Sequence, residues 1–128
     1  MEVRIRVLAL AVGAMLVASC ATRDAASFTN VYVADFHTDE PAAACRTSDV
    51  PQIHGKVREF FSRAKEVDYK TLHDNYQLAP CYVEGTLTRQ GRSCDWQIRA
   101  GATGSVQCGE QKLYFACDNC DDLFGAKQ

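Results

Sequence analysis

The sequence predicts an α+β domain in which one amphipathic helix packs on an antiparallel meander of four to five strands braced by disulfides. Three observations carry that expectation. Apolar residues recur at intervals of three and four between Val50 and Val67, the period of a helix with one buried face. From Cys81 onward the period becomes two, as in half-buried strands. Of the seven cysteines, the six that follow residue 40 form an even set suited to cross-linking a small domain.

Taken in order, Phe28–Phe36 is rich in β-branched and aromatic residues and reads as a first strand, although Phe28, Val31, Val33 and Phe36 do not alternate strictly. His37–Arg46, with Pro41, reads as a loop. In the helix, Val50, Ile53, Val57, Phe60, Phe61, Ala64 and Val67 make the apolar face, and Lys56, Arg58, Glu59, Arg63, Lys65 and Glu66 fill the other. Ser48 or Asp49 is placed to cap its start, and Pro51 sits where a missing N–H is tolerated. Asp68–Pro80 keeps Tyr69, Leu72, Tyr76 and Leu78 as apolar anchors and reads as a frayed helical turn followed by a loop.

The meander follows. Cys81, Val83, Gly85 and Leu87 share one face of a strand over Cys81–Thr88, and Gln90–Ser93 offers a turn. Cys94, Trp96, Ile98 and Ala100 share a face of the next strand, and Gly101 and Gly104 bracket another turn. Val106 and Cys108 then share a face, a turn falls at Gly109–Gln111, and Leu113, Phe115 and Cys117 line the last strand. Residues 118–128, carrying Cys120, Leu123 and Phe124, read as a loose end. The helix face with Phe60 and Phe61 is expected to bury against Val83, Trp96, Ile98, Val106 and Phe115. Strand, helix and four-stranded meander, in that order, is similar to a cystatin-like α+β fold, in which a curved sheet wraps one helix. The inhibitor family's Gln-x-Val-x-Gly loop is absent, and a generic helix-on-sheet sandwich has the same order.

The amino terminus sets the compartment. Arg4 and Arg6 precede the apolar run LALAVGAMLVASC, Leu8–Cys20, which is long enough for a signal h-region and short of the roughly 20 residues that span a bilayer. Its last residues, Val17-Ala18-Ser19-Cys20, resemble the lipobox of bacterial lipoprotein signal peptides. The resemblance implies a diacylglyceryl group on the Cys20 sulfur, cleavage after Ser19 and acylation of the new amino terminus. At about 0.8 kcal/mol per buried methylene, two or more acyl chains make a firm membrane anchor. Ala21 stands where an Asp signals inner-membrane retention in enterobacterial lipoproteins, which points to the outer membrane. A plain secretory signal with an incidental cysteine is the competing reading. Residues 1–19 are then the signal, 20–27 the lipidated terminus and tether, and 28–128 a single domain.

Composition narrows the function. Removing Glu2, Arg4 and Arg6, a net +1, takes the formal charge from −2 to −3, so no basic footprint for nucleic acid or anionic lipid is present. In an oxidising periplasm, Cys45, Cys81, Cys94, Cys108, Cys117 and Cys120 read as a disulfide framework, each bridge contributing roughly 2–4 kcal/mol. Six cysteines permit fifteen pairings. Cys94–Cys108 across a hairpin, Cys45–Cys81 bracketing the helix and Cys117–Cys120 is one set; Cys81–Cys117 with Cys45–Cys120 is its main competitor.

Catalytic signals are weak. Cys117-Asp118-Asn119-Cys120 has the C-x-x-C spacing of thiol–disulfide proteins, but acidic neighbours raise a thiol pKa, and no βαβ setting surrounds it. His37, His54 and His73 lack metal-ligand spacing, and a single close cysteine pair is too few for a zinc ribbon. Ser27, Ser48, Ser62, Ser93 and Ser105 include no nucleophile elbow. Gly101–Gly104 lacks the lysine and following helix of a phosphate loop, and Asp74 with Glu84 has no spacing that marks an acid/base pair. The expectation is therefore a non-enzymatic, lipid-anchored envelope protein without metal or cofactor. It would bind a protein partner through the meander turns or the His37–Arg46 loop, in an immunity or inhibitor role. A thiol–disulfide protein using Cys117 and Cys120, or a purely structural envelope component, are the alternatives.

Overall fold

A computed structural model describes residues 28–125; the signal-like segment, Cys20, the tether and residues 126–128 lie outside the described residues. The elements are β1 (Phe28–Thr38), a 3-10 turn (Thr47–Asp49), α1 (His54–Arg63), β2 (Lys65–Val67), α2 (Tyr69–Asn75), β3 (Cys81–Arg89), β4 (Arg92–Arg99), β5 (Thr103–Cys108), β6 (Gln111–Ala116) and a second 3-10 turn (Asp121–Leu123). The architecture is α+β and mostly sheet. All neighbouring strands run antiparallel in the order β1-β3-β4-β5-β6-β2, so six strands replace the expected four to five.

The extra strand comes from the far end of the expected helix. Ala64 is extended (φ −66°, ψ 143°), which ends α1 at Arg63 and frees Lys65–Val67 to pair with Ala116–Tyr114 on the edge of the sheet. At the other end, Val50 is held extended before Pro51, as the ring of a following proline requires, and Ile53 is still extended. The helix thus spans His54–Arg63 instead of Val50–Val67. Val50 stays in the core at 3% exposure, but Ile53 is 60% exposed and leaves the apolar face assigned to it. Asp49 accepts from the Arg46 N–H at 2.8 Å within the 3-10 turn and does not cap α1.

Residues 68–80 also hold more structure than a frayed turn. Asp68 accepts from the Thr71 N–H at 2.7 Å, a side-chain N-cap that starts α2, and that hydrogen bond holds its carboxyl below the usual carboxylate range. The carboxy-terminal segment is likewise anchored: Leu123 and Cys120 are buried, and Arg63 grips Asp122 at 2.7 Å and the Asn119 carbonyl at 3.2 Å.

β1 explains its own irregular sequence pattern. Its pairing with β3 slips between Thr29 and Tyr32 and again between Val33 and Asp35, with Asn30 at φ 50°, so alternation is broken by bulges. The bulged strand presses the Tyr32 carbonyl onto Gly85, where a Cβ would collide with it and come within 2.8 Å of Trp96. Between β3 and β4 the chain reverses through Gln90 and Gly91, both at positive φ, a type I′ hairpin turn.

The inner face of the sheet carries the core. Val57, Phe60 and Phe61 of α1 are buried with Val83, Trp96, Ile98, Val106 and Phe115, the partners expected for them. Phe61 meets Phe115 at 5.5 Å and Trp96 at 6.2 Å edge to face, and the Trp96 indole donates to the Thr86 carbonyl at 3.0 Å, so its one polar group is satisfied. Three disulfides, Cys45–Cys81, Cys94–Cys108 and Cys117–Cys120, span Cα separations of 5.7, 4.5 and 5.7 Å.

Candidate functional outer face

Alternation along β3–β6 turns one set of side chains to α1 and the opposite set outward. The registers arrange the outward set as three rows. Thr86, Asp95, Gln107 and Lys112 form one; Glu84, Gln97, Ser105 and Tyr114 the next; Tyr82, Arg99, Thr103 and Ala116 the last. With strands about 4.8 Å apart, each row crosses roughly 14 Å of sheet.

α2 covers only one corner of this face. Leu72 is its buried residue, the Tyr69 ring lies tilted against Tyr114 at 5.3 Å between ring centres, and Leu78 follows at 41% exposure. Arg99 fastens the corner: it donates to Asp39 at 2.7 Å and to the Ala79 carbonyl at 3.0 Å, and lies 4.6 Å from the centre of the Tyr82 ring. Burial, together with the carboxylates of Asp39 and Glu84, pushes the Tyr82 phenol above its usual range.

Under α2 the face forms a recess of about 170 Å³, lined among others by Gln97, Arg99, Thr103, Ser105, Lys112 and Tyr114. A second hollow of about 240 Å³ continues toward β1 past Glu84, Thr86 and Asp95, sharing Gln97, Ser105 and Lys112 with the first. The charge is graded: carboxylates stand over β3 and β4, and Lys112 stands over β6, 5.6 Å from the Tyr114 ring centre. Thr103 is 1% exposed, and its hydroxyl has no hydrogen-bond partner among the described residues.

The residues singled out from the sequence fall elsewhere or apart. Cys20 lies outside the described residues. Cys117 and Cys120 are bonded to each other at 6% and 0% exposure, which leaves an attacking thiolate little access to either sulfur. Asp74 pairs with Lys70 at 2.9 Å, whereas Glu84 pairs with His37 at 2.9 Å, so the two carboxylates serve different partners. Ser105 sits mid-face, two strands from Glu84 and its histidine, beyond hydrogen-bond reach of a base. His54 faces the Tyr32 ring at 6.3 Å, and His73 lies beside Asp74. Gly101–Gly104 forms the β4–β5 connection and the first residues of β5. No group of three potential metal ligands occurs, and no helix is long and apolar enough to cross a membrane, among the described residues.

What the sequence reading missed is the outward row of Gln97, Ser105 and Tyr114, with Thr103 and Lys112 beside it. Its signal was present, since these are the alternate positions of each strand, but polar outward residues are the ordinary state of a half-solvated antiparallel sheet. Comparison of the chain with protein-family models, curated proteins and solved structures finds no match.

Proposed function

We propose that the chain is an exported, non-enzymatic envelope lipoprotein, anchored through lipid on Cys20 and facing the periplasm, at the outer membrane in preference to the inner. Its domain binds a protein partner, in an immunity or inhibitor role. The lipobox-like Val17–Cys20 run supports the anchor, and three disulfides in a small domain are consistent with an oxidising compartment. The immunity or inhibitor version draws on the general build: a lipobox-like signal, a small domain and a mildly acidic charge.

The observation that carries the binding role is the half-covered outer face: a braced sheet presenting graded charge and unpartnered polar side chains around shallow hollows. Hollows of 170 and 240 Å³ fall below the roughly 300–1,000 Å³ of small-molecule sites and suit side chains of a macromolecular partner. The reading places the contact on the strands of the meander, where the sequence alone suggested its turns or the His37–Arg46 loop. Intact-mass analysis of the chain purified from its own membrane tests the anchor. It is expected to give a protein beginning at Cys20 with added acyl mass; an unmodified Met1, or a mature form without lipid, would overturn the anchor and the compartment together.

A further inference from the structure

Resting on that recognition reading, we infer that the recess under α2 is a carboxylate-binding site that takes a glutamate or aspartate side chain of the protein partner. Four side chains with hydrogen-bond donors, Gln97, Thr103, Ser105 and Lys112, line it, and none makes a side-chain hydrogen bond or ion pair among the described residues. No Asp or Glu lines the recess, although the chain as a whole carries a formal charge of −2. Lys112 therefore has no carboxylate of its own there. Arg99, already bonded to Asp39, adds a second positive group at the wall.

The Thr103 hydroxyl is the sharpest sign. A hydroxyl on a side chain 1% exposed and without a partner is rare in a folded protein, and Thr103 lines the same recess as Ser105, in the next row, and Lys112, at the far side of that row. Volume fixes the scale of the guest: about 170 Å³ admits one side chain. Leu72 and Leu78 supply an apolar wall for the methylenes of that side chain, and the donor-bearing side chains line the rest of the recess. Charge-assisted bonds from a lysine and neutral donors to one carboxylate are the stronger kind, and they discriminate an acid from its amide.

The test uses the full chain, isotope-labelled and held in a non-ionic detergent, with amide shifts of Gly104, Ser105 and Tyr114 as the readout. The probes are the blocked peptide acetyl-Gly-Leu-Glu-Gly-amide, its Glu→Gln counterpart, and butyrate. The glutamate peptide is expected to shift these amides saturably and at least tenfold more tightly than the glutamine peptide. Lys112→Met is expected to weaken it at least tenfold and Thr103→Val about fivefold. Both variants should keep the thermal midpoint, since Val removes an unpartnered hydroxyl without changing the shape of the wall.

Equal binding of the two peptides, no shift with any probe, or an undiminished Lys112→Met would overturn the inference. So would butyrate binding as tightly as the peptide, which would make a free small acid the guest, or shifts that track protein concentration alone, which would make it a second copy. A partner that cross-links at Ser105 while the peptides fail to discriminate acid from amide would sink this inference and leave the recognition reading standing.

Discussion

The two faces of the one sheet are built to different ends. On the inner face, α1 lays Val57, Phe60 and Phe61 against Trp96, Ile98, Val106 and Phe115, all at 6% exposure or less, and little polar surface is left to satisfy. On the outer face, α2 contributes a single buried residue, Leu72, and the polar rows beyond it stay open. Apolar burial at about 25 cal/mol per Å² places most of the fold's stability on the inner side. The outer side can consequently vary its side chains at little cost to the core, which is what the proposed contact role requires. One backbone thus serves both: the strand that buries Trp96 is the strand that displays Gln97.

That contrast can be broken by truncating each face. Phe61→Ala is expected to cost about 3–5 kcal/mol of unfolding free energy, measured by urea denaturation, because it empties a site shared by four other rings. Leu72→Ala, its counterpart under α2, is expected to cost only about 2 kcal/mol, the low end for a buried leucine, since the site borders an open recess. Equal losses would show that the outer corner is a second core. Between these lies the brace: replacing Cys94 and Cys108 together by alanine is expected to cost roughly 2–4 kcal/mol in the same assay.

A smaller effect sharpens the account of the sheet's margins. Arg63 holds the Asp122 carboxyl below its usual range, and Lys65 with Tyr76 does the same for Asp118. A carboxylate whose pKa is lowered by folding contributes stability above its unfolded pKa of about 3.9 and loses it as pH falls through the lower folded value. Stability is therefore expected to decline with acid below about pH 4, and Asp122→Asn is expected to flatten part of that decline in thermal melts taken at stepped pH. Smallest of all, Lys112→Met is expected to move stability by no more than about 0.5 kcal/mol, as for a surface change that breaks no bond.

Much of the inner face was legible from the sequence because two physical periods say which residues are buried. The 3.6-residue spacing of Val57, Phe60 and Phe61, and the alternation of Trp96 and Ile98, place both sides of the core. The misreadings have local causes. Ile53 and Val67 fit the helical period but lost to backbone effects, Pro51 at one end and edge pairing of Lys65–Val67 with β6 at the other. The α2 segment is short, so its period is hardly sampled, and only the Asp68 cap marks its start. The bulges of β1 scrambled a true strand. The candidate site was least legible, since nothing in the alternation of Gln97, Ser105 and Lys112 tells a contact surface from a wetted one. The proposed contact role rests on the recess under α2 and the unpartnered Thr103 hydroxyl, and both depend on tertiary structure.

The central claim is that the outer face, and not the helix side, meets the partner. Its most direct test is site-specific photo-cross-linking in the living envelope, with a benzoylphenylalanine placed in the full chain at Ser105 in one strain and at the exposed Arg58 of α1 in another. The account predicts a discrete cross-linked protein from position 105 and none from position 58. An adduct from position 58 alone, or the same adduct from both, would contradict it.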